Sequence, residues 1–237
     1  MKKYILILIV ALTSFKVSAQ NGYNYASYGI GFGVSANHPY ADLKKANNNV
    51  SYNASFNYYY TPYVPIALEL QLGTLSGGSN NLTEDASGRK YNNKYKALIV
   101  HMDVQLGELI DYDNSVFLNA VKNFYAGTGI GAFVNDVNAV RFSPIDPNYR
   151  FPGHNKSIDM IIPLRIGYEF KIYNAYDEPN VRLDIGYVHN VTFGDGLDGY
   201  GDPSSKFKNN APDQYTQISI GLKFLFGGET SYNRSIY

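Results

Sequence analysis

The 237-residue sequence contains neither cysteine nor tryptophan. Without cysteine there can be no disulfide, no thiolate metal site and no lipid-modified N-terminal Cys, so the fold stands on backbone pairing and packing. An excess of one charge is also missing: 20 basic residues meet 20 acidic ones. That balance, with no long run of either sign, argues against a nucleic-acid-binding surface. After the first twenty residues no apolar stretch approaches the roughly 20 residues that a membrane helix needs. Any membrane residence must then be by a barrel. No cofactor fingerprint appears, and none is expected to bind. Gly127-Thr128-Gly129-Ile130-Gly131 reads as a strand with small residues on one side, because no helix follows it.

The chain start reads as an address. Lys2 and Lys3 form a positive segment, Ile5 to Leu12 an apolar run, and Val17-Ser18-Ala19 the small residues before a cleavage site between Ala19 and Gln20. Lys16 cuts the apolar run below spanning length. The expected organisation is a signal peptide at 1–19, one domain at 20–226 and a polar, disordered tail at 227–237.

What is abundant is tyrosine (23), phenylalanine (13) and glycine (22), a mixture that suits β-structure and membrane interfaces. Eight segments alternate with period two: Tyr28–Ala36, Val50–Tyr58, Ile66–Gly73, Leu98–Gly107, Ala126–Val134, Ile162–Ile172, Val181–Tyr187 and Gln217–Phe226. The connections alternate as well. Longer ones (Asn37–Asn49, Ser76–Lys94, Asn135–Ser157, Gly194–Asp213) are interleaved with shorter ones (Thr61-Pro62-Tyr63, Glu108–Lys122, Asn174–Asn180). An eight-stranded antiparallel up-and-down transmembrane β-barrel with both termini in the periplasm predicts that pattern.

A soluble barrel would carry many charges on its outer face. Here the less apolar face is mostly Gly, Ser, Asn and Ala, which suits the inside of a narrow barrel, so the apolar face should meet lipid. The charges on the small face are Glu69, Asp103, Glu169 and Asp184 against Arg165, Lys171, Arg182 and Lys223. Four acids and four bases can neutralise one another in a closed lumen, either as a structural plug or as a gated ion path or proton relay.

Two features strain the scheme. Pro163 lacks a ladder N–H, which implies a bulge or a strand start there. Glu108–Lys122 is long for a turn. Asn114 or Ser115 is placed to cap a short helix through Val121, with Val116, Phe117 and Ala120 on one side. That helix would lie on the inner leaflet, dock a periplasmic partner or pack on the rim.

The last segment ends Ser219-Ile220-Gly221-Leu222-Lys223-Phe224-Leu225-Phe226. Ser219, Gly221, Phe224 and Phe226 fit the C-terminal β-signal by which outer-membrane barrels are recognised for insertion, apart from the tail that follows. With the signal peptide, alternation and loop parity, the mature chain resembles the small eight-stranded outer-membrane barrel family, whose shapes include OmpX and the membrane domain of OmpA. The resemblance implies an outer-membrane location, with lipid and the barrel-insertion machinery as partners. Because the family holds structural proteins, adhesins, weak channels and a few lipid-modifying enzymes, it leaves function open.

No catalytic set is legible, so no enzyme activity is expected. The histidines are His38, His101, His154 and His189, and His189-Asn190-Val191-Thr192 resembles the His-and-Ser motif of lipid A deacylases without its serine. Gly194–Asp202 offers three carboxylates for Ca²⁺ but lacks the register of a calcium loop, so no metal site is assigned. The reading is a non-enzymatic structural barrel or envelope-assembly subunit. The alternatives are a narrow porin-like channel and an outer-leaflet lipid hydrolase.

Overall fold

A computed structural model describes residues 23–43, 45–79, 81–85, 87–113, 115–175, 178–201 and 213–232. The signal segment with Ala19 and Gln20, together with Asn114, Asp202 and the last five residues, lies outside them. Eight long strands close on themselves. They are β1 (Tyr23–Tyr40), β2 (Asn49–Thr61), β3 (Val64–Gly78), β4 (Lys90–Gln105), β5 (Phe124–Ala139), β6 (Lys156–Tyr173), β7 (Pro179–Thr192) and β8 (Gln214–Tyr232). Each pairs antiparallel with its sequence neighbours, and β8 returns to β1 from Gln214↔Tyr40 to Tyr232↔Tyr23. This closure leaves no free edge. A two-residue strand, Ala46–Asn47, adds to the loop end of β3.

The alternation read from the sequence sets the faces. Ile30, Phe32, Leu68, Val100, Ile166 and Ile220 all point outward and are exposed. Ser35, Gln71, His101, Arg165 and Gln217 point inward and are buried. At the end carrying the termini the belt finishes in aromatic rings. Tyr28 lies 5.9 Å from Phe56 and 6.3 Å from Phe226, and Phe124 meets Tyr168 edge-on at 4.7 Å. Such a girdle marks the level where an apolar band meets polar surroundings.

The strands outrun their expected ends at the loop side. β3 continues to Gly78 and β4 begins at Lys90, so both ends of the Ser76–Lys94 stretch are paired sheet. β5 and β6 likewise pair from Asn135↔Ser157 and Asp136↔Lys156. At the other end, Gly227–Tyr232 is not a separate disordered tail. It extends β8 past a bulge, with Gly227 and Gly228 opposing Ser27 between the pairs Phe226↔Tyr28 and Glu229↔Ala26. Gly227 takes φ +107° there, a conformation that an L side chain resists.

Pro163 produces neither a bulge nor a strand start. The β5–β6 register is unbroken from Thr128↔Leu164 to Gly131↔Ile161, and only the rungs between them are absent. The Thr128 hydroxyl donates to the Pro163 carbonyl at 3.0 Å, while the opposite side pairs normally with Asn190.

The long connection at the termini end contains a four-residue turn of helix, α1 (Leu106–Leu109), and α2 (Val116–Val121). Ser115 caps α2 by accepting from the Leu118 N–H at 3.3 Å. Gly107 N donates to Lys122 O at 2.6 Å and Gln105 N to Tyr63 O at 2.9 Å, which ties the connection to the rim.

Candidate functional site

The inward faces build two stacked layers. In the half toward the termini, parity places all eight predicted charges inside, and the barrel's curvature selects their partners. Arg165 Nε donates to Asp103 Oδ1 at 3.0 Å, and its Nη1 lies 3.6 Å from Glu69 Oε2. Glu169 accepts from Arg182 Nη1 at 2.6 Å, Lys223 Nζ at 2.9 Å and Gln105 Nε2 at 3.1 Å. Lys223 also reaches Asp184 at 2.7 Å, and Asp184 accepts the Tyr125 hydroxyl at 3.0 Å. The Arg182 guanidinium stacks 4.0 Å over the Tyr59 ring. These groups are buried, and their mutual pairing offsets a desolvation cost of several kcal/mol per ion.

Two details depart from a set of four acid–base pairs. Lys171 leaves the cluster for the floor, where its Nζ donates to Pro62 O at 3.0 Å and sits 3.8 Å over Tyr63. His101 joins instead, with ring nitrogens 3.3 Å from Glu69 and 3.4 Å from Asp103, close contacts without good hydrogen-bond alignment. Four carboxylates therefore meet three permanent cations and one imidazole. Small residues make the room: a Cβ on Gly167 or on Gly186 would fall 2.5 Å from the Tyr125 oxygen.

The loop half is packed differently, and sequence reasoning missed it. Tyr95, Phe133 and Tyr215 form a three-ring cluster with centroids 4.9, 5.4 and 5.6 Å apart. Leu75, Tyr91, Val137, Phe151, Leu197 and Tyr200 cover it in one buried apolar core. Beneath the rings, Gln217 Nε2 and Ser51 Oγ both donate to Asn37 Oδ1, and Asn37 Nδ2 donates to Tyr95. The Tyr200 hydroxyl accepts from Lys90 N at 3.1 Å and faces Lys90 O and Val140 O. Arg89 and Arg141 flank its ring at 5.6 and 5.5 Å. Between the two layers lies a cavity of about 40 Å³, bordered by Ser35, Ser55, Glu69, Gln71, Arg165 and Gln217. It has room for one or two water molecules.

A larger groove of about 480 Å³ lies at the loop end, lined by Tyr40, Ala41, Asp42, Tyr187, His189, Asp213, Gln214 and Thr216. It sits on the outer wall. The row His38↔Thr216↔His189 follows directly on the apolar row Ala36↔Ile218↔Tyr187. His189 Nε2 is engaged by Gln214 at 2.9 Å, and His38 Nδ1 by Asn48 at 2.7 Å. His154 lies in an exposed loop and is not part of the groove.

Behind the groove, Asp198 Oδ1 accepts from Tyr200 N and Asp213 Oδ2 from Leu197 N, so the Gly194–Gly201 segment is a carboxylate-tied turn. Among the described residues no three His, Asp or Glu side chains are placed to hold a metal ion. Burial raises both carboxyls above the ordinary aspartate range. The neighbouring Asp42 and Asp195 push the same way, while the donated N–H groups pull against it. The folded loop thus holds protons that the opened loop releases near the usual aspartate value. Its stability is complete below that value and declines as pH rises through neutrality. Amide exchange at Leu197 and Tyr200, corrected for the intrinsic rate, should show protection falling from about pH 5 to about pH 9. Asp213→Asn should flatten that dependence, and an unchanged slope would refute the assignment.

The insertion-signal residues fall on β8 with Ser219 and Gly221 inward and Phe224 and Phe226 outward. They precede the bulge rather than ending the strand.

No family model matches the sequence, and no curated protein matches it. Among solved structures the fold is similar to Neisserial surface protein A (13% identity, 85% of this chain and 98% of that one, TM-score 0.45). It is also similar to Ail, the attachment invasion locus protein of Yersinia pestis (11% identity, 85% and 99%, TM-score 0.45). A third is a major outer membrane protein from Thermus thermophilus (12% identity, 83% and 99%, TM-score 0.42). At these identities and scores no residue of this chain takes a role from them. The chain itself is a closed, eight-stranded antiparallel β-barrel, similar in architecture to small outer-membrane barrels.

Proposed function

We propose that this chain is a non-enzymatic integral outer-membrane protein whose barrel is plugged, serving as a structural element or as a subunit of an envelope assembly. The supporting observation is the filled lumen: a layer of paired charges under a layer of stacked aromatic rings, with about 40 Å³ of space between them. A solute path would have to break both layers. The outward belt, which above its aromatic girdle meets no charge before Lys96 near the loop end of β4, suits hydrocarbon, where an exposed sheet face must be apolar and its backbone fully paired. In this reading the termini and the shorter connections lie in the periplasm and the longer loops outside. Ser219, Gly221, Phe224 and Phe226 are presented to the insertion machinery, and lipid is the partner of the wall.

The plugged reading is favoured over a narrow channel by the depth of the seal. It is favoured over a lipid hydrolase because the His189 imidazole is committed to Gln214 and has no serine beside it in sequence. The test is conductance of the purified monomer in planar bilayers. The expected result is a baseline indistinguishable from protein-free membrane at moderate voltage. Steady, ion-selective openings from the monomer would replace the plug with a pore.

A further inference from the structure

We propose that α2 is a membrane-interface helix, seated with its apolar side in the lipid leaflet nearest the chain termini. The proposal deepens the membrane reading above by assigning a surface outside the wall to lipid. Val116 is 91% exposed, Phe117 71% and Leu109, at the end of α1, 70%, which makes this connection, among the described residues, the most exposed apolar segment of the barrel's termini end. Such residues facing water would be costly and prone to association.

Their position decides the occupant. Tyr168 belongs to the outward face of β6, alternating with the inward Glu169, and its hydroxyl donates to Ala120 O in α2 at 2.8 Å. The helix is therefore tethered to the lipid-facing side of the wall and not beneath the lumen. Phe124, at the start of β5 just after the helix, packs against Tyr168, and Tyr168 packs on Phe170 at 4.6 Å. The exposed side of α2 thus continues the aromatic girdle sideways, at the depth where ring residues bridge hydrocarbon and headgroups. An amphipathic segment at that level lies in the plane of the interface with its apolar side among the upper chain segments. Continuity with the belt favours lipid over a soluble partner, which would need this surface clear of the bilayer.

The absence of tryptophan gives a clean probe. Phe117→Trp, in full-length protein reconstituted into phosphatidylcholine/phosphatidylglycerol vesicles, carries the only indole in the sample. Val100→Trp serves as a wall reference and Phe142→Trp as a loop reference. The expected result is blue-shifted emission near that of the wall reference. Lipids brominated near the headgroup end of the chain should lower it by about half, and aqueous iodide should leave it nearly unchanged. Val116→Trp should behave alike, which covers the case of one variant failing to insert. Red emission, quenched by iodide and indifferent to brominated lipid, would overturn the proposal and leave the face to a protein partner. Protection from iodide that disappears as the lipid-to-protein ratio rises would also overturn it, assigning the face to a second copy of the chain.

Discussion

Glu169→Leu should cost about 3–5 kcal/mol of folding free energy, read as reversible denaturant unfolding from lipid vesicles. Glu169 is 1% exposed and accepts from two buried cations and an amide. Lys223 keeps Asp184 when Glu169 is removed, whereas Arg182, at 0% exposure, loses its 2.6 Å carboxylate partner. Arg182 keeps Pro62 O at 3.2 Å and the Tyr59 ring, but no carboxylate then balances its buried charge, and the penalty belongs to that imbalance more than to the lost contact. Glu169→Leu/Arg182→Leu should therefore recover much of the loss, because removing both members of a buried pair is far cheaper than removing one. A double variant no more stable than Glu169→Leu would mean that this layer is not held by ion pairing.

Ile166→Arg addresses the other side of the same strand. Ile166 is exposed on the outward face, in the middle of β6 and between Ala126 and Tyr187. An arginine there, one outward position in from the Tyr168 girdle, should cost about 1–2 kcal/mol, between the near-zero penalty of the interface and the larger one of the midplane. Arg165→Ile, one residue earlier, acts through different physics. It removes the cation facing Asp103 and Glu69, so that His101 is left between the two buried carboxylates while Gln71 still donates to Glu69 at 2.6 Å. A destabilised Ile166→Arg that is fully rescued in detergent-free buffer would place water, not lipid, against the belt.

The eight strands were legible because their two faces differ in polarity: Ile66, Leu68 and Leu70 against Ala67, Glu69 and Gln71. Their loop-side ends were not. At Asn92-Asn93-Lys94 both faces are polar, so hydropathy loses its period while the ladder continues. At Tyr91, Tyr95 and Tyr215 the inward side turns aromatic, the reverse of the pattern lower down. Extending the parity of β4 upward from Ala97 would have placed Tyr95 and Tyr91 in the lumen and exposed the plug. Parity alone puts all eight predicted charges on the inward face, and seven of them, all but Lys171, meet in the network. Their partners were not legible, because Arg165 meets Glu69 across the barrel rather than along a strand pair, and such contacts depend on closure. The same blindness assigned Lys171 to the cluster and left His101 out. In sequence Gly227-Gly228 looks like a break, whereas in the fold the two glycines form a bulge after which β8 resumes pairing with Asn24 and Tyr25.

A closed wall facing lipid underlies every one of these effects. Its most direct test is membrane fractionation followed by gel migration with and without heating. The chain should appear in the outer-membrane fraction, resist extraction by salt and alkali, and migrate faster unheated than heated, since a closed barrel withstands detergent until boiled. Recovery in a soluble fraction, with identical migration before and after heating, would contradict it.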